Sequence, residues 1–272
     1  MNRIENPISI SNIAWPQELD EKIGNLLTNQ GIHFIDVAPS KYFKNLQDAS
    51  KEEINKVRKN WKNRGIQICG MQSLMYGVNE LNLFTSETDR KLMYAHLKAV
   101  CRIGQGLGVR YLTFGSPKNR LIGEQSKEEI RNISFNFFYN LGKIAKDYDL
   151  IFCLEPNPKE YGANFLVKTE EAIEFIKKLN HPNVMMQFDT GTCILNKEEN
   201  FNKLDLPLIG HIHASTPFLC PIDNQTVKSV KNILNMLGAP KEKIICIEML
   251  CKDKNRVVDT ILNAIKLLKS QS

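Results

Sequence analysis

The sequence predicts an α/β chain closed into a single (β/α)8 barrel, and three observations carry that prediction. Short apolar segments recur eight times, separated by longer stretches of helical period. Most of the short segments are too continuously apolar for a half-exposed antiparallel sheet and suit a sheet covered on both faces. The length, 272 residues, matches the roughly 250 that eight strand–helix units need. A doubly wound open sheet would be favoured by a glycine-rich phosphate loop after the first strand, and none follows it.

The predicted strands run over 8–15, 33–38, 67–74, 110–114, 150–155, 184–189, 209–214 and 244–249. Between them, helical faces recur. The stretch 51–64 carries Lys51, Lys56, Arg58, Lys59, Lys62 and Arg64, interrupted by Glu52 and Glu53, and reads as a solvated helix face. Leu92, Met93, Leu97, Val100 and Ile103 step by threes and fours, and their helix ends at Gly106 and Gly108. Ile130, Ile133, Phe137, Leu141 and Ile144 repeat the pattern. Ala172, Ile173, Ile176 and Leu179 do so behind Thr169 and Glu170, a start signal. The last helix carries Val257, Val258, Ile261, Leu262, Ile265 and Leu268. Only the crossover 192–207 lacks a clear helical face. Neither a domain boundary nor a low-complexity tract interrupts 1–272.

Composition excludes several classes. Apolar residues make up 42% and charged residues 24%, which excludes disorder as the main state. The net charge of +6 is spread along the chain, so no nucleic-acid partner is expected. The seven cysteines form no CxxC pair, so there is no zinc-ribbon or redox signature. Arg3, Glu5 and Pro7 stand where a signal peptide needs an apolar core, and no run approaches a membrane span. A reducing, cytoplasmic location and no membrane partner follow as expectations.

Barrel enzymes carry their chemistry at the C-terminal ends of the strands. The last four strands each supply a candidate there: Glu155, Asp189, His211 with His213, and Glu248. Alternation along a strand puts Asn157 on the side of Glu155, Gln187 on that of Asp189, and both histidines on one side. A lone glutamate at a strand end is usually a cap, and a lone histidine in an apolar strand is usually a core residue. Ligand-type residues at matching ends of four successive strands are harder to explain separately. Three converging carboxylates repel unless something positive sits among them, and one divalent cation meets that need. An oxygen-rich set with one nitrogen suits Mn²⁺, Mg²⁺ or Co²⁺, with Zn²⁺ also compatible.

Other candidates lie at the same mouth. Lys118 and Arg120, in the loop after the fourth strand, are placed to hold a phosphate or carboxylate. Asn157 and Tyr161 follow the fifth strand as substrate contacts. Trp15 ends the first strand and is a candidate sugar floor. Asp36 ends the second strand and, like Gln187, is a candidate to orient a ligand.

The segments Leu-Glu155-Pro-Asn, Phe-Asp189-Thr-Gly, His211-Ile-His213 and Ile-Glu248 resemble the xylose-isomerase-like sugar phosphate isomerase/epimerase superfamily, and the strand layout matches along essentially the whole chain. The resemblance implies one divalent metal held by Glu155, Asp189, His213 and Glu248, with Glu155 and Glu248 as the acid/base pair. It implies a sugar, sugar phosphate or related polyol as substrate, and isomerisation or epimerisation through an enediolate. Barrels of this kind often pair, which makes a homodimer an expectation. The sequence departs from the family at Thr192, where many members carry a substrate-contacting histidine, and His211 is the candidate to stand in for it. The alternatives are a metal-dependent dehydratase on the same scaffold and a non-catalytic ligand-binding barrel. A multi-metal phosphodiesterase is disfavoured, because His33, His96 and His181 fall away from promising strand ends.

Overall fold

A computed structural model describes residues 5–199, 201 and 205–270. Eight parallel strands close in chain order: β1 (Ile8–Ser11), β2 (Phe34–Val37), β3 (Gln67–Met71), β4 (Tyr111–Phe114), β5 (Ile151–Leu154), β6 (Val184–Asp189), β7 (Ile209–Ser215) and β8 (Ile245–Glu248). Ile8 of β1 pairs with Ile245 of β8, so the (β/α)8 prediction holds and the sheet has no open edge. Helices α1 (Asp20–Asn29), α2 (Lys51–Lys62), α3 (Glu87–Leu107), α4 (Lys127–Asp147), α5 (Thr169–Leu179), α6 (Thr190–Asn196), α7 (Val227–Leu237) and α8 (Val257–Lys269) lie between the strands. Ser50 and Ser126 start α2 and α4 with reciprocal capping boxes to Glu53 and Glu129. Among the described residues no helix is long and apolar enough to cross a membrane.

Strand register sorts the side chains into two sets. Ile10 pairs with Ile35 and Ile247, Leu112 with Phe152, and Phe188 with Ile212. These belong to the apolar core. The alternate positions toward the C-terminal ends of the strands carry small and polar groups, such as Ser11, Asp36, Thr113, Gln187 and His211, and some of these bond across the barrel. Asp36 of β2 reaches His211 of β7, and Thr113 of β4 donates to Gln187 of β6 at 3.2 Å. Neither pair of strands is adjacent, so both contacts cross the interior. Cys69 donates to Asp36 Oδ1 at 3.1 Å. The barrel axis is therefore a polar column rather than a stack of branched aliphatics, and the strand-end residues sit on top of it.

Three predicted boundaries shift. The strand expected to reach 15 stops at Ser11, because Asn12–Ala14 coils into a 3₁₀ turn over the Ser11 hydroxyl. The third strand ends at Met71, and Ser73 has φ +55. The crossover without a helical face does contain a helix, α6, capped by Asp189 itself. Seven residues beginning Thr-Gly-Thr-Cys give neither two full turns of periodicity nor strong propensity. Residues 200 and 202–204 of that crossover lie outside the described residues.

Candidate metal centre

Register brings the strand ends together. Asp189 pairs with His213, and Ser215 beside it pairs with Glu248. Glu155, one residue past β5, is tied back by its N–H to the Phe114 carbonyl at 3.0 Å. One ligand atom from each of Glu155, Asp189, His213 and Glu248 lies within 4.8 Å of all the others. His213 Nδ1 is 3.2 Å from Glu248 Oε2 and 3.8 Å from Glu155 Oε1, yet neither approach has hydrogen-bond geometry. A buried imidazole nitrogen facing three carboxylates without a partner fits a cation among them. Asp189 and His213 lie deep, whereas the glutamate side chains keep 14% and 12% exposure, so the glutamates are the members of the cluster a small molecule can reach.

Each carboxylate is held by a neighbour. Asp189 Oδ1 accepts from the Thr192 N–H at 2.7 Å, and Oδ2 from the Ser215 hydroxyl at 2.6 Å. Glu155 Oε2 accepts from Asn157 Nδ2 at 3.0 Å. Glu248 Oε1 accepts from Gln72 Nε2. In both glutamates the oxygen that faces His213 is the one the amide leaves free. Burial, then the Glu248 and Asp189 charges, push the Glu155 carboxyl up to about 8. Asp189 rises for the same reasons, burial first and then Glu248. Burial opposes a proton on His213, but Glu248, Asp36 and Glu155 outweigh it and raise this imidazole well above its ordinary value.

Beneath the cluster, Asp36 Oδ2 receives His211 Nε2 at 2.6 Å and lies 3.8 Å from His213 Nε2. Burial alone would raise the Asp36 carboxyl. The two imidazoles, His211 foremost, hold it far below the usual range. Asp36 thus faces the side of His213 turned away from the three carboxylates. Gln187 instead pairs with Thr113 lower in the column and does not reach Asp189.

The peripheral candidates separate. Lys118 is exposed and lines a cavity of about 300 Å³ together with Gln72, Ser73, Tyr76, Thr113, Glu155 and Glu248. Tyr161 is close to the carboxylates, and its hydroxyl accepts the Phe218 N–H at 2.8 Å. Burial, outweighing that hydrogen bond, raises it to about 12. Three expected substrate contacts face elsewhere. Arg120 is 1% exposed, and its guanidinium is bonded to Asn157 Oδ1 at 2.6 Å and to the Glu155 carbonyl. His211 is 2% exposed, bound to Asp36 and stacked on Tyr111. Trp15 is 2% exposed, donates to Asp20 at 2.7 Å and packs edge-on against Trp61. All three are large, amphipathic side chains near the mouth, and sequence alone does not say which way they turn. Thr192 is buried as well, and its hydroxyl goes to the Pro156 carbonyl at 3.2 Å. His211 faces Asp36 and not this position.

Sequence reasoning missed Gln72 and Ser215. Gln72 follows β3 directly, but that strand ends in no carboxylate or imidazole that would have drawn attention to it. Ser215 was legible in principle, since it continues the His211, His213 alternation on one strand. A second cavity, of about 430 Å³, lies outside the barrel against Tyr42, Trp61 and Arg64, and none of the four cluster residues lines it.

The fold and the cluster together define a closed (β/α)8 barrel whose mouth is ringed by metal-type ligands. A family model described as a xylose isomerase-like TIM barrel matches residues 26–266, and the chain belongs to that family. Solved structures share the fold. D-psicose 3-epimerase from Clostridium cellulolyticum H10 is 18% identical with TM-score 0.70, covering 97% of this chain and 94% of that one. A 3-keto-D-glucoside 4-epimerase from E. coli is 13% identical with TM-score 0.71, covering 95% and 98%. The IolI protein, solved with a zinc atom, is 18% identical with TM-score 0.67, covering 97% and 98%. A search of curated protein sequences finds no match.

Proposed function

We propose that the protein is a divalent-metal-dependent isomerase or epimerase of a sugar, sugar phosphate or related polyol, working through an enediolate of the substrate. The observation that carries this reading is the convergence of Glu155, Asp189, His213 and Glu248 within 4.8 Å at the barrel mouth, beside a cavity of sugar size. The structural neighbours, epimerases of psicose and of a ketoglucoside and a protein solved with zinc, point the same way.

Glu155, Asp189, His213 and Glu248 would hold the cation. When bound, a Mn²⁺, Mg²⁺, Co²⁺ or Zn²⁺ ion supplies Lewis acidity to adjacent carbonyl and hydroxyl oxygens. Glu155 and Glu248 stand at the ends of β5 and β8, three strands apart, and approach the cluster from different sides. One carboxylate takes the carbon-bound proton, and the other returns a proton from its own side. Return to the same carbon inverts it, and return to the neighbour, with the hydroxyl proton passing to the former carbonyl oxygen, exchanges aldose for ketose. Asp189 and His213, more deeply buried, hold position. Lys118 supplies a positive charge to an anionic end of the substrate, where one is present. The chain acts as one barrel domain in this reading, in the cytoplasm.

The test is metal content after exposure to Mn²⁺ and removal of excess, followed by incubation of ketoses in D₂O. About one ion per chain, lost in Glu155→Gln, together with deuterium on substrate carbon, is expected. Metal retained without deuterium on any sugar of a broad panel refutes proton-transfer chemistry.

A further inference from the structure

The loop after β4 was expected to offer two cations to a substrate, and it keeps one for the protein. Arg120 closes the 3₁₀ turn Pro117–Arg120. The residue before it, Asn119, is pinned through its amide to the Val78 and Leu81 carbonyls at 2.8 and 2.7 Å. One guanidinium nitrogen, Nη2, donates both to the Glu155 carbonyl and to Asn157 Oδ1. Asn157 Nδ2 then donates to Glu155 Oε2. The Asn157 amide has one orientation only. Turned over, it would set its oxygen against a carboxylate and its NH₂ against a cation. Glu155 is thereby gripped at its backbone and at one carboxylate oxygen, and Oε1 is the oxygen left to face His213.

The opposite glutamate is held less firmly. Gln72 gives Glu248 the corresponding amide bond, but the Gln72 oxygen has no partner and no cation behind it. Arg120 Nε and Nη1 are also without a partner. A buried guanidinium with two of its three nitrogens idle is a poor packing group. Its bonds go to Glu155 and to the amide that holds Glu155.

We propose that Arg120 is a positioning residue for the Glu155 carboxylate, fixing through the Asn157 amide which oxygen faces the cation site, and that it does not contact substrate. The proposal rests on reading the four-residue cluster as a cation site.

The test is calorimetric titration of Mn²⁺ alone into the parent, Arg120→Met, Arg120→Lys, Asn157→Leu and the Arg120→Met/Asn157→Leu double variant, with thermal melts to establish folding. Arg120→Met and Asn157→Leu should each weaken Mn²⁺ binding about 10- to 100-fold. The double variant should be no weaker than the worse single one, because both changes cut the same chain of bonds. Arg120→Lys should stay within a few-fold of the parent, since one ammonium nitrogen can serve the two oxygens that share Nη2. If Arg120→Met does not fold, Asn157→Leu and Arg120→Lys decide. Parent-like affinity in Asn157→Leu, or a Lys variant that folds but binds as weakly as Asn157→Leu, overturns the proposal. So does parent-like affinity in Arg120→Met, or fully additive losses in the double variant. A parent that binds no Mn²⁺ overturns the cation-site reading and this proposal with it. A parent that binds Mn²⁺ beside an unaffected Arg120→Met overturns this proposal alone.

Discussion

Gly115→Ala should separate the cation site from the stability of the fold. Gly115 follows β4 at the mouth. A Cβ built there would lie 2.3 Å from Glu155 Oε2, 3.5 Å from Glu155 Cδ and 3.7 Å from Asn157 Oδ1. Ordinary contact requires Oε2 to retreat by about 1 Å. That oxygen is the one Asn157 holds at 3.0 Å, so the retreat either breaks that bond or turns Oε1 away from His213. The obstructing atom is the end of a flexible side chain, and the fold has little to yield. Losing one hydrogen bond costs about 1 kcal/mol, and replacing glycine restricts the unfolded chain by about 0.4–1 kcal/mol. The two nearly cancel. The metal-free melting temperature should move by no more than about 4 °C. Mn²⁺ affinity should fall about 10- to 100-fold, or about 1.4–2.7 kcal/mol. Titration calorimetry with melts of the metal-free protein reads both. Affinity within twofold of the parent would refute the geometry of Glu155. A melting point lowered by more than about 10 °C would show that backbone, not a carboxylate, had moved.

Asp36→Ala removes the partner of buried His211 and should destabilise the protein by about 3–5 kcal/mol in denaturant melts. A loss under about 1 kcal/mol would refute that pairing. Because the Asp36 carboxyl is held below its ordinary value, its contribution is present above about pH 4 and fades as the pH falls further, so the gap between parent and Asp36→Ala should narrow in acid. Glu155 has the opposite sign. Its folded value of about 8 exceeds the unfolded one near 4.3, so the metal-free protein should lose stability as the pH rises between them. Mn²⁺ must displace that proton, so its affinity should tighten as the pH rises from about 6 to 8; an affinity flat over that range would refute the shift. Lys118→Ala should raise KM about tenfold for a phosphorylated ketose and leave a neutral one unchanged, and equal changes for both would remove Lys118 from substrate recognition.

The barrel was legible because its signal is repeated. Eight apolar segments with helical spacers constrain one another, and an error at one boundary leaves the count intact. The end of β1 at Ser11 and the onset of α6 at Thr190 were lost for a local reason. In each case a side-chain hydrogen bond, from the Ser11 hydroxyl or the Asp189 carboxylate, redirects the backbone within a few residues of polar sequence. Glu155, Asp189 and Glu248 were found by the same repetition, since alternation fixes their side of the strand once the strand is placed; it puts His211 and His213 on one side together, and only the family resemblance chose His213.

What alternation cannot reach is a contact between non-adjacent strands or between loops. His211 and His213 share a strand face, and nothing in their spacing tells that one turns to Asp36 on β2 while the other faces the three carboxylates. Arg120 and Lys118 are two residues apart in one loop, yet one is buried under Glu155 and the other lines the open cavity. Gly115 carries no side chain to notice, although the space it leaves is taken by Glu155. Which residues can converge at the mouth is thus written along single strands, whereas their orientation is written in pairs distant in sequence. Substitutions such as Gly115→Ala and Arg120→Met act on the second kind of information, and that is why each is expected to change cation affinity while Glu155, Asp189, His213 and Glu248 all remain in place.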